Sequence, residues 1–512
     1  MKWFLRILGG LVAVLALLVA LNWTTIQRLR VVNTMFDADK IVTNFSSMNA
    51  AFLHHDLEIG PNQPWPEDIQ TLPETVNIAG VERNLAEVLA ELDTTGLVVI
   101  RDGTLIHESY YLGTGKDDLR ISWSMAKSFM SGLYGKAVAA GQIESLDDPV
   151  TKYVPSLVGS AYDGSTVRNV LNMASGITFD ENYMDPKSDI NDMGKVLGLG
   201  GSMDDYTAGL TARDVDPGTR WQYVSIDTHV AAMVLRAATG KSLHTLWEDT
   251  YGANLGFDRA PYYLTDGEDV AFALGGLNMT TRDYAKFGQL FLQGGKWNGE
   301  QIVPAEWVRE STVHSAPSMS DRGVGYGYQW WVPMPQTGVN EGDFFAVGIY
   351  GQYIYVNPQA GIVIAKNAAD REFAYADEVG VHSMNKNIEL MRSLAEQLGL
   401  LRAQHQAECK VTPDLNCIIT NYNGKGSVID FTRELERALQ THKNDTKITE
   451  IWPHLTSAEI TGDGKTSFVV NTMVWRAMRS FQATGSQSKL SSNMPNITPA
   501  CWPKRSVSKK PR

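Results

Sequence analysis

Ser122-Trp123-Ser124-Met125-Ala126-Lys127-Ser128-Phe129 is the stretch that decides how this chain of 512 residues is read. Ser124 and Lys127 stand three apart, and on a helix residues at that spacing share a face, so a hydroxyl and an amine lie together. Such an amine takes the hydroxyl proton when burial or a neighbouring charge brings its pKa toward neutrality. The S-x-x-K pattern alone is weak, because it recurs at Ser383, Ser486 and Ser506. Position separates the four. Ser124 sits where an extended segment hands over to an apolar helix expected from Ser124 to Ala140, carrying Phe129, Met130, Leu133 and Val138. A serine at a helix N-terminus faces N–H groups that favour an oxyanion. It is equally a preferred N-cap, so the reading needs support from elsewhere in the chain.

Two further pieces supply it. Trp221-Gln222-Tyr223-Val224-Ser225 follows a Pro217-Gly218 approach and precedes a helix. A tyrosine hydroxyl near a lysine can shuttle a proton to a leaving group, although a core aromatic is the plainer reading. Gly348-Ile349-Tyr350-Gly351-Gln352 places glycines around the start of a strand, where a substrate can approach the backbone and an N–H can donate to a carbonyl. A simple hairpin turn explains it equally well.

Around these pieces the order of elements predicts an α+β fold. Leu97–Ile100 reads as a strand, Asp102-Gly103 as a hairpin turn and Thr104–Tyr111 as the returning strand. Helices follow over Thr166–Met173 and Thr228–Ala238, and a capping box at Thr280–Asp283 opens another that ends at Gly294-Gly295. Phe344–Gly348, Gln352–Val356 and Gly361–Lys366 read as antiparallel strands, and Ala376–Leu398 as a last helix. A hairpin, a block of helices, then strands and a helix imply an antiparallel sheet flanked by helices, with a mostly helical second lobe.

These blocks, in this order, resemble the serine β-lactamase and penicillin-binding-protein superfamily, and within it the branch of class C-like esterases and 6-aminohexanoate-dimer hydrolases. The likeness spans about Leu97 to Leu400. It also takes in Thr166-Val167-Arg168-Asn169-Val170-Leu171 through Ser175-Gly176, Gly275-Gly276-Leu277 through Asp283, and Tyr326-Gly327-Tyr328-Gln329-Trp330-Trp331. It implies Ser124 as nucleophile, Lys127 as its activator and Tyr223 as the catalytic tyrosine. The backbone N–H groups of Ser124 and Gln352 would form the oxyanion hole. Ser225, Tyr350 and Gly351 would contact substrate, and Tyr183 would line the cleft. Two departures bear on substrate. Ile349-Tyr350-Gly351 stands where relatives carry Lys-Thr-Gly, and Ser225 where lactamases usually carry Asn. The first loses a cation for a substrate carboxylate and the second an amide for a carbonyl, so small esters or uncharged amides are expected over antibiotics. Rival expectations are a cell-wall D-amino-acid peptidase or β-lactamase of the same fold, and an inactive binding or scaffold protein.

Composition bounds the rest. With 43% hydrophobic and 20% charged residues the chain can bury a large core, and a net charge of −12 argues against nucleic acid as a partner. Residues 401–512 reverse the sign, with 16 Lys and Arg against 9 Asp and Glu. No H-E-x-x-H, P-loop or dinucleotide glycine motif is present, and the ten His show no ligand spacing, so neither metal nor organic cofactor is expected. At the start, Lys2 and Arg6 precede an uncharged run from Ile7 to Leu21. Residues 1–23 are therefore expected to be a transmembrane anchor, with the chain beyond them periplasmic or extracellular; a cleaved secretion signal is the alternative. Residues 24–80 read as a spacer with short structured pieces, 81–400 as the hydrolase domain, and 401–512 as an extension. A Cys409–Cys417 disulfide and a short helix over Val428–Leu439 are expected in that extension, which ends in a basic tail.

Overall fold

The structure, a computed structural model, describes residues 2–320, 323–375 and 378–411. The chain divides into two units, Met1–Gly399 and Leu400–Arg512, and the first carries the fold described below. Cys417, the Val428–Leu439 stretch and the basic tail lie outside the described residues.

A seven-stranded antiparallel sheet forms the centre, in the order Gly325–Tyr326, Trp331–Val332, Phe344–Gly348, Gln352–Asn357, Ile362–Ala368, Thr94–Arg101, Thr104–Tyr110. The first hairpin and the last strand meet in it, Val98 opposite Ala365. The helical block thus leaves and re-enters one sheet. Leu97, Val98, Val99 and Ile100 are completely buried because their strand has neighbours on both sides and packing on both faces. Each such side chain contributes roughly 1.5–3 kcal/mol. Asp102 and Gly103 both take positive φ (48° and 81°), the conformation of a tight hairpin turn.

The helix Thr281–Leu292 packs on the strands Ile362–Ala368, Gln352–Asn357 and Thr94–Arg101. Gly288 allows the approach: a Cβ there would lie 2.6 Å from Val363 and 2.8 Å from Ile354. Only half of the expected capping box forms. Thr280 accepts from the Asp283 N–H, but the Asp283 carboxylate turns to the N–H groups of Asp258 and Arg259. The closing helix, Glu378–Val411, runs beyond the expected Leu398.

A second, four-stranded sheet runs in the order Leu53–Asp56, Tyr262–Thr265, Leu277–Met279, Arg120–Ile121. Its last strand delivers the chain straight into Ser122, whose N–H donates to Leu277 O at 2.7 Å. Between the sheets' contributions lie the helices Ala126–Ala139, Val167–Leu171 and Ser225–Thr239, the last stopped by Gly240 in the left-handed region.

The N-terminus departs from expectation twice. No single helix among the described residues is long and apolar enough to cross a membrane. The helix Lys2–Leu21 is followed by Trp23–Asn33, and Arg6–Leu21 with Thr25–Asn33 has the required length and composition only as a pair bent by 71°. Lys2 and Arg6 leave 15 uncharged residues, Ile7–Leu21, about 22 Å of helix against a hydrocarbon core of about 30 Å. Residues 24–80 are also more than a spacer. Met35, Ile41, Phe45, Met48 and Leu57 are buried in the core, and Leu53–Asp56 is a strand of the second sheet.

Candidate active site

The turn that carries Ser124 is held on two sides. Trp123–Met125 forms a single 3-10 turn that runs into the helix Ala126–Ala139, and Trp123 sits at φ 43°, a strained conformation for a large side chain. Its ring is gripped by Phe36, Phe45 and Tyr350, with centroids 5.5–6.2 Å away. On another side the strand Phe344–Gly348 presses close: a Cβ on Gly348 would fall 2.2 Å from Ser122 O. Packing thus aims a half-buried Ser124 into a cleft of about 790 Å³.

Ser124 and Lys127 meet as expected. Lys127 Nζ lies 2.8 Å from Ser124 Oγ, 3.2 Å from Ser225 Oγ and 2.8 Å from Leu274 O. The lysine is buried, and that desolvation brings its pKa down to about 7 against an opposing pull from the Glu181 carboxylate. A neutral amine has two N–H groups and one lone pair. Leu274 O and Ser225 Oγ take the two N–H groups, so the lone pair is left for the Ser124 hydroxyl.

Glu181 completes this network. Its carboxylate accepts from the Ser225 N–H at 3.0 Å, from the Ser225 hydroxyl and from the Tyr183 hydroxyl at 2.7 Å. Ser225 opens the helix Ser225–Thr239, so the carboxylate also sits at a helix N-terminus, where negative charge is stabilised. Burial and this carboxylate push the Tyr183 hydroxyl pKa well up. Deeper in the same helix, Asp227 accepts from Tyr162 and Ser175, and burial raises its pKa to about 7. Tyr223 lines the cleft, with its ring centroid 5.3 Å from Lys127 Nζ and stacked on Trp331 at 5.3 Å.

The expected residues therefore divide. Ser124, Lys127, Tyr223 and Tyr183 come together. Ser225 is buried beneath them, bonded to Lys127 and Glu181 rather than lining the cleft. Gln352, Tyr350 and Gly351 are not among the residues that line the cleft. The turn Ile349–Gly351 reverses the chain, with Tyr350 and Gly351 at φ 64° and 82°, so Gln352 lies on the return strand, paired with Gly348. Tyr350 points away from the cleft and stacks on Phe36 at 5.0 Å, while Gly351 faces Ala368, Asp370 and Lys366. Val347 and Ile349 are the residues of this hairpin that line the cleft with Ser124. The Gln352 side chain has a different place. Its amide donates to Tyr350 O at 3.0 Å and Ala368 O at 2.8 Å and accepts from Asn367 at 2.9 Å, clamping the turn from behind.

Glu181 and Leu274 were not singled out from the sequence, and Trp331 and Ile349 stood in quoted blocks without a role of their own. Glu181 neighbours Tyr183 on a loop and carries no local pattern of its own. The rest of the cleft wall includes Asp180, Phe179, Phe373 and Arg220. The Arg220 guanidinium donates to Gln222 at 2.7 Å and to Asp214 at 3.3 Å.

With this geometry in view, a model of the beta-lactamase family matches residues 81–374. The chain belongs to that family. It is 32% identical over 297 residues to the 6-aminohexanoate-dimer hydrolase of Paenarthrobacter ureafaciens, covering 55% of this chain and 74% of that one. An uncharacterised protein of Alkalihalophilus pseudofirmus is 23% identical over 274 residues, covering 48% of this chain and 71% of that one. Among solved structures, a Bacillus anthracis protein provisionally named 6-aminohexanoate-dimer hydrolase superposes with a TM-score of 0.63 at 24% identity, over 71% of this chain and 96% of that one. The family assignment and this likeness agree with the α+β fold expected from the sequence. The relative named for its activity is a hydrolase, and this beta-lactamase-family chain is placed in the same broad class.

Proposed function

We propose that the chain is a serine hydrolase cleaving ester or amide bonds of small molecules through an acyl-enzyme on Ser124. The observation that carries this is the 2.8 Å contact between Ser124 Oγ and a buried Lys127 amine with a pKa near 7, at the wall of an open cleft. Lys127 takes the hydroxyl proton as Oγ attacks the carbonyl carbon. The N–H groups of Ser124 and Ile349 hold the developing oxyanion, the second replacing the Gln352 N–H of the sequence reading. Tyr223 passes the proton to the departing amine or alcohol, and water then releases the acyl group by the reverse relay. Arg220 in the cleft wall supplies a cation that the Ile349-Tyr350-Gly351 motif lacks, which favours substrates with a carboxylate at one end. Short linear amides of the 6-aminohexanoate-dimer type are accordingly the first substrates to try.

The deciding experiment is hydrolysis of a p-nitrophenyl ester and of the linear 6-aminohexanoate dimer by wild type and Ser124→Ala. A loss of at least about 10³-fold in kcat/KM is expected in the variant; equal turnover by both would refute the mechanism.

We also propose that the N-terminal segment attaches the enzyme to the cytoplasmic membrane, with the hydrolase unit outside. Trp3, Leu11, Leu15, Leu18 and Leu21 are all exposed on a helix with basic residues only at its start. Deleting residues 1–33 is expected to move the enzyme from the membrane pellet to the soluble fraction. Equal sedimentation of both forms would count against attachment.

A further inference from the structure

Two histidines without any ligand spacing in sequence become neighbours in the fold. His55 lies on the strand Leu53–Asp56 and His244 on the helix Leu243–Trp247, and their rings stack with centroids 4.0 Å apart at 8°. Asp269, in the connection from Tyr262–Thr265 to Leu277–Met279, puts its carboxylate 3.0 Å from His55 Nδ1. One donor atom from each residue lies within 4.8 Å of the other two. His244 is 3% exposed, and its Nε2 is buried without a hydrogen-bond partner. A buried polar atom left so costs roughly 1–3 kcal/mol.

We propose that His55, His244 and Asp269 bind a divalent transition ion of the zinc type. Two imidazoles and a carboxylate are the ligand set that borderline-soft ions select, with water in the fourth position. Ligand atoms about 2.0–2.1 Å from a tetrahedral ion stand roughly 3.3 Å apart. The His55–Asp269 pair is already at that spacing, and the parallel rings converge by rotating about χ2, a soft torsion for histidine. The ion joins three elements: a strand from the N-terminal stretch, a helix of the lobe, and the connection that also carries Leu274, whose carbonyl holds Lys127. Its position ties residues 24–80 to the hydrolase body.

The test is Zn²⁺ titration of the full, chelator-treated chain by calorimetry, with the melting midpoint followed in parallel. Wild type is expected to bind one ion at this site and to melt higher with zinc, since a ligand that binds only the folded state stabilises it. His55→Ala and Asp269→Ala replace side chains that are 38% and 59% exposed, so both variants are expected to fold, with ester turnover as the control. Each is expected to weaken zinc binding at least tenfold and to lose the melting shift. Absence of binding by wild type, or binding that survives in both variants, overturns the proposal.

Discussion

Lys127 and Lys366 are both completely buried, and desolvation lowers both, to about 7 and about 8. Lys127 opens onto a hydroxyl in a cleft. Lys366 is sealed behind the Ile349–Gly351 turn, 3.4 Å from Gly351 O, where Asp370 and Asp93 partly restore its charge. Burial alone is therefore enough to tune an amine. What sets Lys127 apart, and suits it to the base role proposed above, is the Ser124 hydroxyl 2.8 Å away and the acceptors that orient its lone pair.

That contrast can be broken by substitution. Lys127→Met is expected to lower kcat/KM by about 10³-fold without lowering the melting midpoint, because the folded chain no longer holds an amine in a site that disfavours its charge. Lys366→Met is expected to show the reverse. Turnover stays within about tenfold of wild type, while stability falls by roughly 1–3 kcal/mol, because Asp93 and Asp370 then face one another uncompensated. Comparable loss of turnover in both variants would end the distinction.

The pH profile sharpens it. Only neutral Lys127 accepts a proton, so kcat/KM is expected to rise tenfold per unit up to about pH 7 and to level above it. Glu181 favours the charged amine, so Glu181→Gln is expected to move this limb to lower pH; a shift upward would contradict its place in the network. Gln352→Ala is expected to reduce kcat about tenfold with little change in KM, since the clamp on the turn acts on the oxyanion donor and not on binding. The smallest effect belongs to Phe36→Ala. Removing its stack on Tyr350 should cost about 0.5–1.5 kcal/mol in denaturant melts, and no change at all would argue against residues 24–80 as part of the body.

How far the site could be read ahead of the structure follows from how local each feature is. Ser124 and Lys127 are bound by one helical turn, so three-residue spacing was sufficient. Tyr223 stood in a recognisable block, whereas Tyr183 was named only as a cleft residue implied by the resemblance. The hairpin failed because which side chain faces a cleft depends on where the chain reverses, and strand alternation changes face with every single residue. Ile349 rather than Gln352 lines the cleft for that reason. The burial of the N-terminal stretch was not legible, because Met35, Ile41 and Phe45 are buried one at a time among polar residues, without a period to betray them.

By itself, the sequence determined the elements that answer to short-range physics: the Leu97–Tyr110 hairpin, the helix that carries Ser124 and Lys127, the strands after Tyr326, and an N-terminal run too apolar to be ordinary surface. Only the tertiary structure decided what depends on contacts between distant segments. It set Glu181 against the buried Ser225, put the Gln352 side chain behind the Ile349–Gly351 turn, and brought His55, His244 and Asp269 together. The difference is physical. Periodicity and capping are written in neighbouring residues, whereas desolvation, lone-pair direction and ligand convergence exist only once the chain has closed around them.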